Sequence, residues 1–287
     1  MILSMTGFGK SNGVFASKKV SVEIRSLNSK GLDLSLKLHA SYRELESEIR
    51  KIVAERLDRG KVDIGIYLES SQENAGLLNR ELATRYYHEL KSLNESWGEQ
   101  PQDYLSMVLR MPEVLNQQSD ELSEEEKAFI LQLVNETCDK LMNFRATEGK
   151  ILAADFQQRI DEIRNLLKEI EPFETERVQQ VRDRIIRSLT DLQGIEFDNN
   201  RLEQEMIFYI EKLDISEEKI RLSNHLDYFI ETMNISMSGK KLGFIAQEIG
   251  REINTLGSKS NHAEMQRRVV EMKDMLEKIK EQILNTL

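Results

Sequence analysis

Apolar and polar residues alternate with period two at three places in the first 70 residues, and each alternation predicts a half-buried strand. The apolar positions are Val20, Val22 and Ile24, then Leu34, Leu36 and Leu38, then Val62, Ile64, Ile66 and Leu68. A first strand is also predicted at residues 2–5, and Gly7 and Gly9 indicate a turn or a close backbone approach. Residues 42–60 have helical spacing and end at Gly60, which predicts a helix. The order of strands, helix and strand predicts an α+β unit whose sheet buries one face under a helix.

From residue 77 onward the apolar spacing is almost entirely helical. It predicts a helix over residues 78–97, a short helix over 104–110, and long helices packed as a hairpin or arm over 123–193. The last helix has the most regular stripe, at Met265, Val269, Met272, Leu276, Ile279 and Ile283. Such a strict seam requires a partner helix, so it raises the hypothesis of oligomerisation.

Polar stretches near residues 72–76 and at 193–200 are the best domain boundaries. We therefore predict three parts: an N-terminal α+β domain at 1–72, a helical arm and middle region at 73–196, and a C-terminal helical domain with acidic clusters at 197–287. The predicted class is α+β, with a small N-terminal sheet-and-helix domain followed by a long helical arm and a helical C-terminal domain.

The composition excludes disorder, because 39% of the 287 residues are apolar and only three are proline. One cysteine, Cys138, excludes a disulfide within the chain and a cysteine-based metal cluster. The longest apolar runs are too short for a membrane span, and no apolar leader opens the chain, so we expect a cytoplasmic protein.

Charge is unevenly distributed along the chain, whose net charge is −10. Residues 1–70 hold 12 Lys and Arg against 9 Asp and Glu, and residues 237–273 hold 7 against 4. Residues 71–236 hold 19 against 34. An anionic ligand should therefore meet the two ends of the sequence, although ordinary solvated faces would give the same counts.

The first candidate cluster lies in KLDISEEKIRLSNHLDYF, where Asp214, Glu218, Arg221 and His225 are spaced four, three and four. On a helix they span an arc of about 60°. Carboxylates and an imidazole are ligands that Mg²⁺ or Mn²⁺ accepts. Exposed ion pairs have the same spacing, so that interpretation stays open.

The second cluster pairs Glu248 with Glu252, flanked by Arg251 and followed by Lys259. Carboxylates that hold a divalent ion, with cations that neutralise a charged oxygen, suit phosphodiester hydrolysis. Glycines recur every seven residues in this segment and permit close approach of another backbone or a ligand. They are Gly243, Gly250 and Gly257.

Weaker candidates lie elsewhere in the chain. Glu205 belongs to an acidic helix start in NNRLEQEM. In the N-terminal unit, five polar or charged residues could contact RNA phosphates: Arg25, Asn28, Lys30, Arg59 and Lys61. They could equally be solvated loop residues. The P-loop, dinucleotide-binding, HExxH and GxSxG motifs are all missing from the sequence, so the corresponding functions have no support.

These stretches are similar to a known family. The chain opens with SMTGFGK, followed by EIRSLNSKGLD, LESEIR and LDRGKVD, and its centre has FRATEGKIL, with an RxxEG element at Arg145, Glu148 and Gly149. The C-terminal part has NNRLEQE, DISEEKIRLSNH, GKKLGFIAQEIGREINTLGSKS and VVEMKDMLEKIKEQILN. In order and spacing they resemble the YicC/YloC-like endoribonuclease family, although residues 73–140 have little of the resemblance.

The resemblance implies a divalent-metal-dependent endoribonuclease that cuts RNA and assembles as a hexameric ring. Carried onto this sequence, the implied ligands of Mg²⁺ or Mn²⁺ are Glu205, Asp214, Glu218, His225, Glu248 and Glu252. The implied catalytic residues are Glu248, Glu252, His225, Arg251 and Lys259, and Arg221 is an implied phosphate partner.

Two departures from the family pattern stand out. Gly243 occupies a position before Phe244 that is usually acidic, and the chain ends in LNTL, which we interpret as a variable tail. The alternative function is a non-catalytic oligomeric RNA-binding or adaptor protein, whose acidic clusters would be structural ion pairs. A helical scaffold without a role in nucleic-acid binding is a third interpretation, consistent with the acidic net charge.

Overall fold

A computed structural model of the chain describes residues 2–16, 18–70, 78–98, 103–111, 114, 122–190 and 199–287. The predicted boundaries lie outside these residues, except for residues 199 and 200. The α+β class is confirmed, because a small N-terminal sheet is followed by long helices.

The described strands form a four-stranded sheet in the order β1-β2-β4-β3. Their bounds are β1 Gly7–Phe15, β2 Lys18–Leu27, β3 Leu32–Leu38 and β4 Gly60–Ser70. A 3-10 helix, Ala40–Leu45, and helix α1, Glu46–Arg56, connect β3 to the parallel strand β4. The register pairs Leu34 with Val62 and Leu36 with Ile64, so two of the predicted alternations lie side by side. Val22 and Ile64 are fully buried, which confirms one core-facing side of the sheet.

Two details of the N-terminal prediction are wrong. Residues 2–5 form only an isolated bridge, between Ser4 and Thr286, and the first strand begins at Gly7. Helix α1 ends at Arg56 rather than near Gly60. Gly60 opens β4 with a φ of 131°, a left-handed conformation that favours glycine, so the stop signal in the sequence marks a strand start.

The remaining described elements are helical. Their bounds are α2 Arg80–Trp97, α3 Tyr104–Leu109, α4 Glu124–Glu169, α5 Glu171–Thr190, α6 Asn199–Leu213, α7 Ser216–Met233, α8 Gly239–Lys259 and α9 Ala263–Ile283. Pro172 is the second residue of α5, where the first turn tolerates proline. Among the described helices, none is long and apolar enough to cross a membrane.

The chain divides into two compact units that do not follow chain order. One unit comprises residues 1–7, 26–31 and 142–287, and the other comprises residues 8–25 and 32–141. The division at 1–72, 73–196 and 197–287 stays a prediction. In the first unit, buried apolar side chains from α4, α7, α8 and α9 form one continuous core.

The RxxEG element fixes the N-terminal segment in the first unit. The guanidinium of Arg145 is fully buried and donates hydrogen bonds to the Met5 carbonyl at 3.3 Å and to Ser26 Oγ at 2.8 Å. The Thr6 hydroxyl donates to Glu148 Oε2 at 2.8 Å. These motif residues therefore satisfy buried polar groups of the opening segment, which is a structural role.

The last residues of the chain, which the sequence analysis interpreted as a variable tail, are packed against the first residues. Thr286 and Leu287 are buried, and the Leu287 amide donates to the Leu3 carbonyl at 2.9 Å. At Gly149, a Cβ atom would lie 2.1 Å from the Ile2 carbonyl oxygen. Close backbone contact explains the glycine at this position.

The α8 glycines face side chains of α9, not another backbone or a ligand as the sequence analysis expected. A Cβ atom would lie 3.8 Å from Ile283 at Gly243, 3.1 Å from Leu276 at Gly250, and 2.9 Å from Val269 at Gly257. The regular seam of α9 is thus buried against α8 of the same chain. The seam consequently gives no support to the oligomerisation hypothesis.

Candidate functional site

Helices α7 and α8 form an antiparallel hairpin around the two acidic clusters. The connection between them spans residues 234–238, which is short enough to make neighbouring helices antiparallel. The start of α7 therefore lies beside the end of α8. This arrangement brings Asp214 and Glu218 of the first cluster to Lys259 of the second.

The closest contacts of the site join Lys259 to the beginning of α7. Lys259 Nζ lies 2.8 Å from Glu218 Oε1 and donates to the Asp214 carbonyl oxygen at 2.9 Å. Glu218 is only 6% exposed, and its second carboxylate oxygen, Oε2, is buried without a hydrogen-bond partner. A buried polar atom of this kind requires an explanation, such as a bound group or a proton-transfer role.

The Asp214 carboxylate serves the start of α7. It accepts hydrogen bonds from the Ser216 amide at 3.1 Å and from the Ser216 hydroxyl at 2.7 Å. These bonds, and to a smaller extent the charge of Lys259, hold the pKa of Asp214 below its ordinary value. The side chain that the sequence proposes as a metal ligand is therefore engaged in a local turn.

By helix geometry, His225 and Glu252 should lie at about the same level of the hairpin. Glu218 contacts Lys259, and a step of seven residues along each antiparallel helix, about two turns, leads to His225 and Glu252. Glu252 is 6% exposed, and His225 is half-buried. Neither side chain has a hydrogen-bond or ion-pair partner in the part of the chain that the structure describes.

Other residues predicted for the site form exposed ion pairs, which is the alternative interpretation of the two acidic clusters. Glu248 Oε2 lies 3.3 Å from Arg251, whose side chain is 74% exposed. Arg221 pairs with Glu217 and not with its cluster partners. Glu205 is exposed on α6, with no partner among the described residues.

Arg177 on α5 is a site residue that the sequence analysis missed. It is 3% exposed and donates to the carbonyl oxygens of Lys259 at 3.0 Å and Leu213 at 2.5 Å. Burial lowers the pKa of this guanidinium. The sequence does contain a signal for the burial of Arg177. It lies four residues before the buried Val181 and therefore on the apolar face of α5.

The N-terminal RNA-binding candidates have different environments. In one unit, the Asn28 side-chain amide donates to the Leu284 carbonyl oxygen, a structural contact, and Lys30 is exposed. In the other unit, Arg59 is half-buried and Lys61 is exposed. Arg25 lies 3.5 Å from Glu23 Oε2, and its guanidinium lies 5.6 Å from the Phe8 ring centroid, so a cation and an aromatic ring share the open side of the sheet.

The proposed metal ligands do not converge on one point within a single copy. Among the described residues, no three His, Cys, Asp or Glu side chains are grouped closely enough to hold a metal ion. The structure brings Glu218 to Lys259, while Glu205 lies on a separate helix. A metal caged by the protein alone does not fit this donor set.

The structure is therefore an α+β fold with an ion pair, Glu218–Lys259, between two C-terminal helices. Two family profiles match the chain: "Endoribonuclease YicC-like, N-terminal region" over residues 2–154, and "Endoribonuclease YicC-like, C-terminal" over residues 167–286. The chain belongs to the YicC-like endoribonuclease family.

Two relatives match over nearly the full length of the chain. A protein of Clostridioides difficile (strain 630) is 33% identical over 292 residues, which cover 99% of each chain. A protein of Haemophilus influenzae (strain ATCC 51907 / DSM 11121 / KW20 / Rd) is 34% identical over 294 residues, again covering 99% of each chain. Both are named "Probable endoribonuclease YicC".

Proposed function

We propose that this chain is an endoribonuclease that cleaves RNA phosphodiester bonds at the α7–α8 hairpin. The main observation is the burial of Glu218 and Glu252 on this hairpin, with one Glu218 oxygen left without a partner. Burying carboxylates costs stability, so a functional role accounts for their presence better than a structural one. Family membership and the names of the two relatives support the choice of RNA as the substrate.

The residues of the hairpin supply the chemistry that RNA cleavage needs. Glu252 or His225, on opposite helices, can take a proton from the attacking oxygen and return one to the leaving oxygen. Lys259, held by Glu218 and the Asp214 carbonyl, presents a positive charge that offsets negative charge on the phosphate in the transition state. Product ends distinguish the nucleophile, because attack by the 2′-OH leaves a cyclic phosphate.

Dependence on Mg²⁺ or Mn²⁺ is part of the proposal. Mg²⁺ is often held by one or two carboxylates together with water and substrate phosphates, and this mode needs no group of three protein ligands. Glu248 and Glu252, four residues apart on α8, would supply the carboxylates, and water and an RNA phosphate would supply the remaining oxygens. A bound ion would add charge neutralisation at the phosphate.

The decisive experiment compares cleavage of a labelled single-stranded RNA by the wild type and by Glu252→Gln. We expect a loss of about 100-fold or more in the variant, since acid–base groups contribute about 10²–10⁴-fold. Glu281→Gln, which changes an exposed carboxylate on α9, is the matched control and should cut normally. Each reaction is run with Mn²⁺ and with EDTA, and circular dichroism checks the fold.

The outcomes separate the candidate functions. Full activity of a folded Glu252→Gln variant would contradict the proposed site, and cleavage in EDTA would contradict metal dependence alone. RNA binding without cleavage by the wild type would instead support the adaptor function. No RNA binding at low salt would support the scaffold interpretation.

We also propose that the chain forms a homo-oligomer, which the family resemblance gives as a hexamer, and that it acts in the cytoplasm. The supporting feature is an exposed apolar patch on α6, formed by Ile207, Phe208 and Ile210. Phe208 is 59% exposed, and such patches mark interaction surfaces. Light scattering should give a smaller mass for Phe208→Asp than for the wild type, and an unchanged oligomeric mass would contradict a role for this patch.

A further inference from the structure

We infer that a cationic cavity beside the α7–α8 hairpin binds one nucleotide of the RNA strand. The cavity has a volume of about 510 Å³ and is lined by residues of α5, α6, α8, α9 and the segment between α8 and α9. Pockets for small ligands typically have volumes of about 300–1,000 Å³, so a nucleotide fits. This inference rests on the proposed function, because it takes RNA as the ligand.

The charge of the lining favours a phosphate. Three cations line the cavity, Arg184, Lys212 and Lys259, and no carboxylate does so among the described residues. Lys259 is already paired with Glu218, whereas Arg184 and Lys212 are exposed and have no ion-pair partner in the described chain. Two uncompensated cations in the acidic part of the sequence therefore face this cavity.

The cavity also offers a side-chain amide and a ring. The amide belongs to Asn261, two residues before α9. Tyr209 is half-buried on the apolar cluster beneath, and an aromatic ring beside cations is the usual platform for an unpaired base.

The position of the cavity connects it to the proposed chemistry. Lys259 forms part of its wall and contacts Glu218. The buried Arg177 bonds the backbone of Lys259 and of Leu213, two residues of the wall, and so fixes the cavity. A nucleotide held here would place the neighbouring phosphodiester near the hairpin.

The test is binding of a short fluorescent 2′-O-methyl oligouridylate in EDTA, which measures affinity separately from cleavage. Arg184→Ala/Lys212→Ala should weaken binding at least about tenfold, and should reduce the slope of log affinity against log salt by about 1.4, since each lost contact to a single strand contributes about 0.7. Arg182→Ala/Lys240→Ala removes two exposed cations outside the cavity and should match the wild type.

Tyr209 gives an independent test of base stacking. Tyr209→Leu should weaken binding by about tenfold, while Tyr209→Phe should bind like the wild type. Wild-type affinity and salt slope in Arg184→Ala/Lys212→Ala would overturn the inference. Failure of the wild type to bind the strand would also overturn it. So would a finding that uridine monophosphate or inorganic phosphate binds the protein without competing with the strand.

The cleavage assay distinguishes this inference from the proposed function. A wild type that binds the strand through the cavity and cuts no RNA would leave the inference standing and overturn the function. If the wild type cuts RNA and neither the Arg184→Ala/Lys212→Ala nor the Tyr209→Leu substitution changes the affinity for the strand, the proposed function stands and the inference is overturned.

Discussion

The two faces of α8 are built from opposite kinds of residue. Towards α9, the helix presents glycines spaced seven apart, and side chains such as Val269 and Leu276 fill the space above them. Towards α7, it presents Glu252 and Lys259, and the partner across the interface is the buried Glu218. The same helix thus has one face that gains stability from close packing and one that buries charge at a cost.

This difference assigns separate roles to the two interfaces. An apolar interface of this kind is explained by folding alone, since burial of its side chains stabilises the chain. A buried carboxylate with an unpartnered oxygen is not explained in that way, because apolar residues of similar volume would often be as stable or more so. Substitutions on the α9 side should therefore act through stability, whereas substitutions of the buried charges on the α7 side should also lower cleavage directly.

The largest expected effect comes from placing a charge in the α8–α9 interface. Leu276 is 1% exposed, so Leu276→Asp should lower the free energy of unfolding by on the order of 5 kcal/mol, enough to unfold a marginally stable chain. Urea denaturation measures this effect. Val270→Asp, at a position that is 62% exposed, is the control and should change stability little.

A folded Leu276→Asp variant with reduced mass in light scattering would contradict this assignment. That result would mean that the seam of α9 packs between copies of the chain. The structure predicts loss of the fold instead, because α9 finds its partner helix in α8.

The ion pair on the opposite face should show strong coupling. Lys259→Met leaves the Glu218 carboxylate buried without its cation, and we expect a loss of about 2–3 kcal/mol, less than for a fully buried pair because Lys259 is 32% exposed. Glu218→Gln/Lys259→Met should recover most of this loss while cleavage stays low. A double-mutant cycle in urea measures the coupling.

An exposed ion pair on α9 provides the control for that cycle. Lys278 Nζ lies 2.6 Å from Asp274, and both side chains are exposed. Lys278→Met should cost at most about 0.5 kcal/mol. Equal losses of stability in Lys259→Met and Lys278→Met would show that the burial of Glu218 does not determine the strength of its ion pair.

The α8 glycines should respond to alanine in proportion to the space above them. Gly257→Ala would put a Cβ 2.9 Å from the stiff Val269 side chain, so we expect destabilisation of about 1–2 kcal/mol. Gly243→Ala meets only Ile283, at 3.8 Å, and should stabilise the helix by about 0.5–1 kcal/mol. Thermal melts of the two variants check the order, and a more stable Gly257→Ala would contradict the close packing.

The smallest effect concerns pH at the start of α7. The pKa of Asp214 is lowered in the folded chain, chiefly by the hydrogen bonds from Ser216. Its contribution to stability is therefore fully present above the ordinary aspartate range and is lost progressively as pH falls below that range through the lowered pKa of the folded chain. The difference in melting temperature between the wild type and Asp214→Ala should be visible at neutral pH and should disappear in acid, and a difference that persists in acid would contradict this origin.

Elements whose pattern is local could be predicted from the sequence. Alternation predicted the paired strands β3 and β4, and helical spacing predicted α2, α3 and α9, because burial of one face imposes a period on the chain. Residue spacing also gave both acidic clusters, with Glu218, Glu252 and Lys259 among their residues, and the family resemblance gave the RxxEG element.

Which of those residues contact each other depends on the packing of helices that are distant along the chain. The sequence grouped Arg221 with Asp214 and Glu218 on one helical arc, yet Arg221 pairs with Glu217, and Glu218 pairs with a lysine 41 residues away. It also missed Arg177, which is buried by contacts with distant backbone. The physical reason is that periodicity reports how a segment is buried, whereas the partner of a buried charge depends on how separate helices pack.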